Sequence, residues 1–274
     1  MQQPASGALG TAASMLVGYA RFGFAAKGVL QLLIGAFALA AAMGERSGRV
    51  TDAAGALRDV ARQSFGRPVV LLVAIGLLGY AAFKFVEGLF DPRHRPPGAR
   101  TALFRLGDGL SGVAYLLLGI GSFQLFLRSG APVSGDARTR YWTIEALALP
   151  YGDGLLLLAA AVFGGIACLF IARALFIRDV CADLDQAALG PRGCRAASAL
   201  IRIASVVQAV LFGTMAYLLL RAAEVHDANQ VRGTGGALRL LSAHHGRLAL
   251  GLLATGMLAM GLSSFVEARW RKIV

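Results

Sequence analysis

Residues 69–90, VVLLVAIGLLGYAAFKFVEGLF, decide the fold. Only two of these side chains are charged, Lys84 and Glu87, and both lie near one end. As a helix the segment is about 33 Å long, enough to cross a hydrocarbon core about 30 Å thick. Five more stretches read the same way: Leu16–Met43, Leu103–Leu127, Leu155–Ile177, Ala199–Leu220 and Leu248–Val266. The fold class is therefore an all-α integral membrane protein with six transmembrane helices, residues 1–274 forming a single membrane domain.

The composition agrees. Of 274 residues, 57% are apolar and 15% charged, and mean hydropathy is +0.64. With 35 Gly and only 8 Pro, the chain is neither Pro-rich nor disordered, and a soluble enzyme is disfavoured. A net charge of +12 raises the question of nucleic acid, but the basic residues are scattered in short groups without interleaved aromatics. Anionic lipid headgroups are the simpler partner, and no nucleic acid is expected. Cys168, Cys181 and Cys194 form no CxxC pair, so neither a disulfide framework nor a zinc site is indicated.

Arg21 and Lys27 followed by a Leu-rich run and Ala38-Leu39-Ala40 resemble a secretory signal with its cleavage site. Two sister helices elsewhere in the chain argue for a retained first span. Six spans put both termini on one side. That side collects 15 of the 27 Lys and Arg residues, which favours cytoplasmic termini. Gly, Ala and Arg richness fits a bacterial chain in the inner (cytoplasmic) membrane.

The sister helices belong to an internal repeat. Arg21-Phe22-Gly23, Arg105-Leu106-Gly107 and Arg202-Ile203-Ala204 open the first helix of each pair; Arg21, Arg105 and Arg202 are the repeat's opening arginines. Seven residues on stand Gly28, Gly112 and Ala209, and fourteen on stand Gly35, Gly119 and Ala216, close to one helix face. The second helices align on Gly66, Gly152 and Gly246, and twenty-one residues later come Glu87, Arg173 and Glu267, all ionisable. These small residues, together with Gly164 and Gly165, are expected at close helix–helix approaches. Three parallel helical hairpins follow, about 16–92, 100–178 and 197–269, arranged around a pseudo-threefold axis along the membrane normal. Asp52–Phe65, with Ala53, Leu57, Val60 and Ala61 opposite Arg58 and Arg62, predicts a short helix on the bilayer surface, and Leu238–Ala243 a similar one.

Ala20-Arg21-Phe22-Gly23-Phe24-Ala25-Ala26-Lys27-Gly28, Ser64-Phe65-Gly66-Arg67 and the Gly-rich span ending Asp91-Pro92 resemble the bacterial domain-of-unknown-function family numbered 1206. The resemblance runs from about Gly18 to Ala268 and implies a two-helix membrane unit used three times. Ala204 and Ala209 depart from the glycines it implies. It carries no activity.

Ionisable residues inside spans cost roughly 2.5–3.5 kcal/mol each at a helix centre. Here they are Lys27, Lys84, Glu87, Asp108, Arg173 and Glu267, all toward the terminus-bearing end. Either they pair across the bundle and fix its packing, or they line a polar cavity open to the cytoplasm; the balanced sign favours pairing. Lys84 and Glu87, at i,i+3, can pair on their own helix. Gln31 and Gln208 suit interhelical hydrogen bonds, and Trp142 and Trp270 interfacial anchors. His244 and His245 point about 100° apart and do not converge on a metal, while His94 and His226 stand in loops, so a haem held between spans has no ligands.

No GxSxG, HExxH or Walker loop is present, so no enzyme activity, metal or cofactor is expected. Asp179, Asp183 and Asp185 gather in one loop beside Arg178 and Arg192, more suggestive of a solvated loop than of a divalent-metal site. A non-enzymatic structural or interaction protein is the first reading. A small transporter or channel is the alternative, and a lipid-modifying enzyme using the acidic loop is the weakest. A protein partner or a second copy of the chain is left open.

Overall fold

A computed structural model describes residues 4–45, 48–90, 98–127, 135–176 and 184–272. Asp91, Pro92, Arg93, His94, Arg95, Arg178, Asp179, Cys181 and Asp183 lie outside the described residues. The described chain is helical throughout: α1 Pro4–Met43, α2 Ala53–Ala61, α3 Gly66–Phe90, α4 Ala99–Leu127, α5 Gly135–Leu147, α6 Gly152–Leu175, α7 Gln186–Val225, a 3₁₀ turn Ala228–Gln230, and α8 Thr234–Trp270. Six segments are long and apolar enough to cross a membrane: Val17–Met43, Gly66–Phe90, Arg105–Leu127, Gly152–Leu175, α7, and Gly246–Trp270. The chain is a multi-pass membrane protein.

Glycine marks the points where the chain turns into the membrane. Gly190 (φ 65°) breaks α7 into a short lead and the span opened by Pro191, whose missing N–H costs nothing at a first helical position. Gly246 (φ 74°) likewise divides α8 into a lead, 234–245, and its span. At the start of α3 the constraint is space: a Cβ on Gly66 would sit 1.6 Å from the Val60 carbonyl oxygen of α2.

Asp52 caps α2, its carboxylate accepting from the Gly55 N–H at 2.7 Å. The apolar face of that helix does not meet lipid, which corrects the reading of Asp52–Phe65 as a helix on the bilayer surface. Ala56, Leu57 and Val60 are buried in the main core with Leu30 and Ile34 of α1, Val70, Val73 and Leu77 of α3, and Leu253, Met257 and Met260 of α8. A neighbouring protein face, already apolar, removes more of their surface from water than headgroups would.

The spans pack in the order α4–α3–α1–α8–α7–α6. The two ends of this row, α4 and α6, share no packed interface among the described residues, so the middle pair is not a tight hairpin. α5 intervenes between them and gives the connection enough length for the helices to part. α4 and α6 are also the peripheral spans: 22% and 17% of their most apolar windows are buried, against 56% in α8.

Close approaches fall where small residues were expected, with one correction. An added Cβ would lie 3.0 Å from the Gly261 carbonyl at Gly28, and 3.1 and 2.9 Å from Phe85 and Leu78 at Gly112 and Gly119. Gly164 and Gly165 do not serve this way. Gly165 faces open space, and Gly164 meets Ala216 only at an ordinary 3.9 Å, because α7 brings its own small residues to α6.

Candidate functional site: an intramembrane charge network

The end of α3 carries Lys84 and Glu87 into the bundle interior, where their side chains are 11% and 4% exposed. One helical turn apart, they bond directly, Lys84 Nζ donating to Glu87 Oε2 at 2.7 Å. The same ammonium donates to Asp108 Oδ1 of α4 at 2.8 Å. The second Glu87 oxygen accepts from Arg271 Nη2 at 2.9 Å. Arg271 Nη1 lies 3.6 Å from Glu267 Oε1, one turn back on α8. An unbroken chain, Asp108–Lys84–Glu87–Arg271–Glu267, thus joins α4, α3 and α8.

Lys27 supplies the α1 end. Its Nζ stands 3.4 Å from the Tyr80 hydroxyl and 5.1 Å from the centre of that ring, and it acts on Glu267 through space. Lys84 approaches the same ring at 5.9 Å, so both ammonium groups lie within cation–π range of one tyrosine. The Arg271 guanidinium lies 4.8 Å from the Phe24 ring centre and 5.4 Å from that of Phe83. Phe24 and Tyr115 each meet Tyr80 edge-on, at 5.0 and 4.7 Å, and close this aromatic wall. Lys27, Lys84 and Arg271 face Glu87, Asp108 and Glu267: three cations and three carboxylates, balanced in sign.

Five of the six residues singled out from sequence therefore converge, and Arg173 does not bond with them. It sits on peripheral α6 and acts on Glu267 only at longer range. The residue that sequence reasoning missed is Arg271. It follows the last apolar run and reads as an interfacial charge, yet its side chain turns back into the bundle and is only 9% exposed. Its i,i+4 spacing from Glu267 was the available signal.

The opening arginines have separate work. Arg105 donates from Nε to the Gly88 carbonyl at 2.8 Å and from Nη2 to that of Leu89 at 2.6 Å. Arg202 donates to the Ala174 carbonyl at 3.0 Å. Each satisfies carbonyls at the end of the preceding span, where the helix has no internal donors and its dipole is negative. Arg21 instead lies exposed beside the end of α8. On the opposite face, Asp136 of α5 accepts from the Gly233 and Gly236 N–H groups at 2.7 and 3.1 Å and pairs with Arg239, so it caps the lead of α8 from another element.

An uncharacterized protein of Bacillus subtilis (strain 168), YxxB, is 26% identical to this chain over 253 residues, covering 91% of this chain and 89% of that protein. No solved structure matches. A family model described as Domain of Unknown Function (DUF1206) matches residues 22–91, which hold α2, α3 and most of α1, and residues 203–271, which hold α8 and much of α7. The middle pair of spans is not matched. With half of its length accounted for in this way, the chain belongs to the DUF1206 family.

Proposed function

We propose that this protein is a non-enzymatic component of the bacterial cytoplasmic membrane that acts by assembly or interaction, its charged cluster serving to hold the spans together. One observation carries the reading. The interior cations are engaged with carboxylates or aromatic faces of the same chain, so the cluster is consumed in joining α1, α3, α4 and α8. A substrate entering it would displace bonds that keep the bundle closed. The excess of Lys and Arg on the terminus-bearing side supports cytoplasmic termini and contact with anionic headgroups.

We read the architecture as three parallel two-helix units around a pseudo-threefold axis. In support, α4 packs on α3, α7 on α6 and α1 on α8, so the first helix of every unit meets the second helix of the unit before it. The capping of Gly88 by Arg105 and of Ala174 by Arg202 repeats at equivalent positions. In this reading the ring has one open seam, between α4 and α6.

The second reading, a small transporter or channel, is favoured by Gln31. Its side chain hydrogen-bonds Tyr115, while its Oε1 is buried with no hydrogen-bond partner among the described residues. Labelling separates the two readings. Ser264, buried on α8 three residues before Glu267, is replaced by Cys in a chain whose own cysteines are changed to Ser, with exposed Gly98→Cys as the reference. A structural cluster leaves position 264 unreactive toward a water-soluble maleimide, and crosslinking in native membranes traps the chain in species above its own 28.6 kDa. Labelling of position 264 at a rate near that of position 98, with a monomer throughout, overturns the proposal.

A further inference from the structure

We infer that the terminus-bearing face carries a binding site for a phosphate-bearing anion, formed where the start of the first span, Val17–Met43, meets the end of α8. A cavity of about 360 Å³ opens there, lined by Arg21, Arg269, Trp270, Arg271 and Lys272 and also by Asp185. Its size falls within the range of small-ligand clefts, about 300–1,000 Å³.

Charge is the first argument. Arg271 is paired inward with Glu87 and Glu267, which leaves three cations, Arg21, Arg269 and Lys272, facing one carboxylate, and that carboxylate caps α7 by accepting from the Ala188 N–H at 3.3 Å. Arg269 and Lys272 are exposed, as is Arg21. Guanidinium groups present paired N–H donors that match phosphate oxygens, which makes an arginine-rich cavity better suited to phosphate than to chloride or a lone carboxylate.

Preorganisation is the second. The Asp185 N–H donates to the Trp270 carbonyl at 2.7 Å, and Leu184 pairs with Arg271 in an isolated antiparallel bridge, so residues 269–272 are pinned to the start of α7. Arg271 is held on its inner side by Glu87 and Glu267, so its stem loses no further rotamer freedom on binding. The third argument is Arg21. Arg105 and Arg202 spend their guanidinium groups on the carbonyls ending the preceding span, whereas Arg21, at the same register, lines the cavity. Trp270 sets the depth: an indole at a span end sits at headgroup level, within reach of a phospholipid phosphate as well as of a soluble phosphate ester. This site goes beyond the structural role proposed for the interior network.

The test uses the full chain in mild detergent, by native mass spectrometry, with equimolar phosphatidylglycerol and phosphatidylcholine and then with inorganic phosphate as competitor. The anionic lipid is expected to be retained preferentially, and R21Q/R269Q to lower its occupancy at least tenfold while leaving phosphatidylcholine adducts and the melting temperature unchanged. The control pair R67Q/R140Q, exposed at the other end of the molecule, leaves occupancy as it was. Displacement of the lipid by millimolar phosphate identifies a soluble phosphate ester as the natural occupant, and resistance to it identifies the lipid headgroup. Equal retention of both lipids with no phosphate bound, or equal loss in the two variant pairs, overturns the site.

Discussion

Replacing Glu87 by Gln removes one charge from the centre of the network. Each Glu87 oxygen serves one cation, Oε2 taking Lys84 and Oε1 taking Arg271. The amide keeps one acceptor and turns an N–H toward the other cation. Breaking a buried ion pair by deleting one partner costs about 3–5 kcal/mol. Lys84 retains Asp108 at 2.8 Å and Arg271 retains Glu267 at 3.6 Å, which places the loss at the lower end, about 3 kcal/mol. At about 2–4 °C per kcal/mol, melting followed by circular dichroism in mild detergent should fall by about 6–12 °C. Asp108→Asn provides the internal scale. It removes one charged hydrogen bond from a carboxylate 17% exposed, and Lys84 keeps Glu87, so about 1.5 kcal/mol is expected. The double variant strands Lys84 in the bilayer without a carboxylate and should cost more than the two losses added together, by about 0.5–3 kcal/mol of coupling. A Glu87→Gln protein melting within 2 °C of the parent, or one less damaged than Asp108→Asn, would refute the assignment of Glu87 as the hub.

Gly66→Ala forces a Cβ against the Val60 carbonyl, a backbone group that yields only if α2 shifts, so a cost near the upper end of about 1–3 kcal/mol is expected. Gly165→Ala enters open space and should gain about 0.5–1 kcal/mol, and equal melting temperatures for the two variants would contradict this account. Asp136→Ala releases two backbone N–H groups and Arg239 and should cost about 1.5–3 kcal/mol, read as faster hydrogen exchange across residues 233–239. In the α7–α8 turn, the backbone N–H of Asn229, then side-chain hydrogen bonds from Asn229 and Gln230, hold the Asp227 carboxyl below its ordinary value of 3.8. The folded pKa is the lower one, so this carboxylate supports the turn fully above pH 3.8 and loses hold as pH falls through the folded value. Protection of the Asn229 amide should vanish in that acid window, and in Asp227→Asn the step should be missing.

The six spans were legible because length and hydropathy are local properties and a bilayer leaves the backbone few alternatives. The Lys84–Glu87 pair was legible for the same reason, since i,i+3 spacing fixes the two on one face. Arg271 was not. Its bond to Glu87 crosses 184 residues, and the one local sign, its i,i+4 spacing from Glu267, does not say that the side chain turns inward rather than toward the headgroups. α2 was found as a helix but assigned to the wrong surface, because an apolar stripe of Ala56, Leu57 and Val60 suits lipid and protein equally well. Gly164 and Gly165 were read as close-approach residues and are not, because small residues permit a close approach without requiring one.

The order in which the network's members are synthesised has a consequence for biogenesis. Lys84 and Glu87 enter the bilayer on α3 long before the chain has made Glu267 or Arg271. During that interval the helix depends on its own one-turn pair, which offsets part of the roughly 2.5–3.5 kcal/mol that each charge alone would cost at a helix centre. Glu87 then holds Lys84 through one oxygen, and its bond to Arg271 forms only when α8 arrives. Interrupting synthesis before α8 should leave a half-built chain in which Glu87 lacks the Arg271 bond that closes the network.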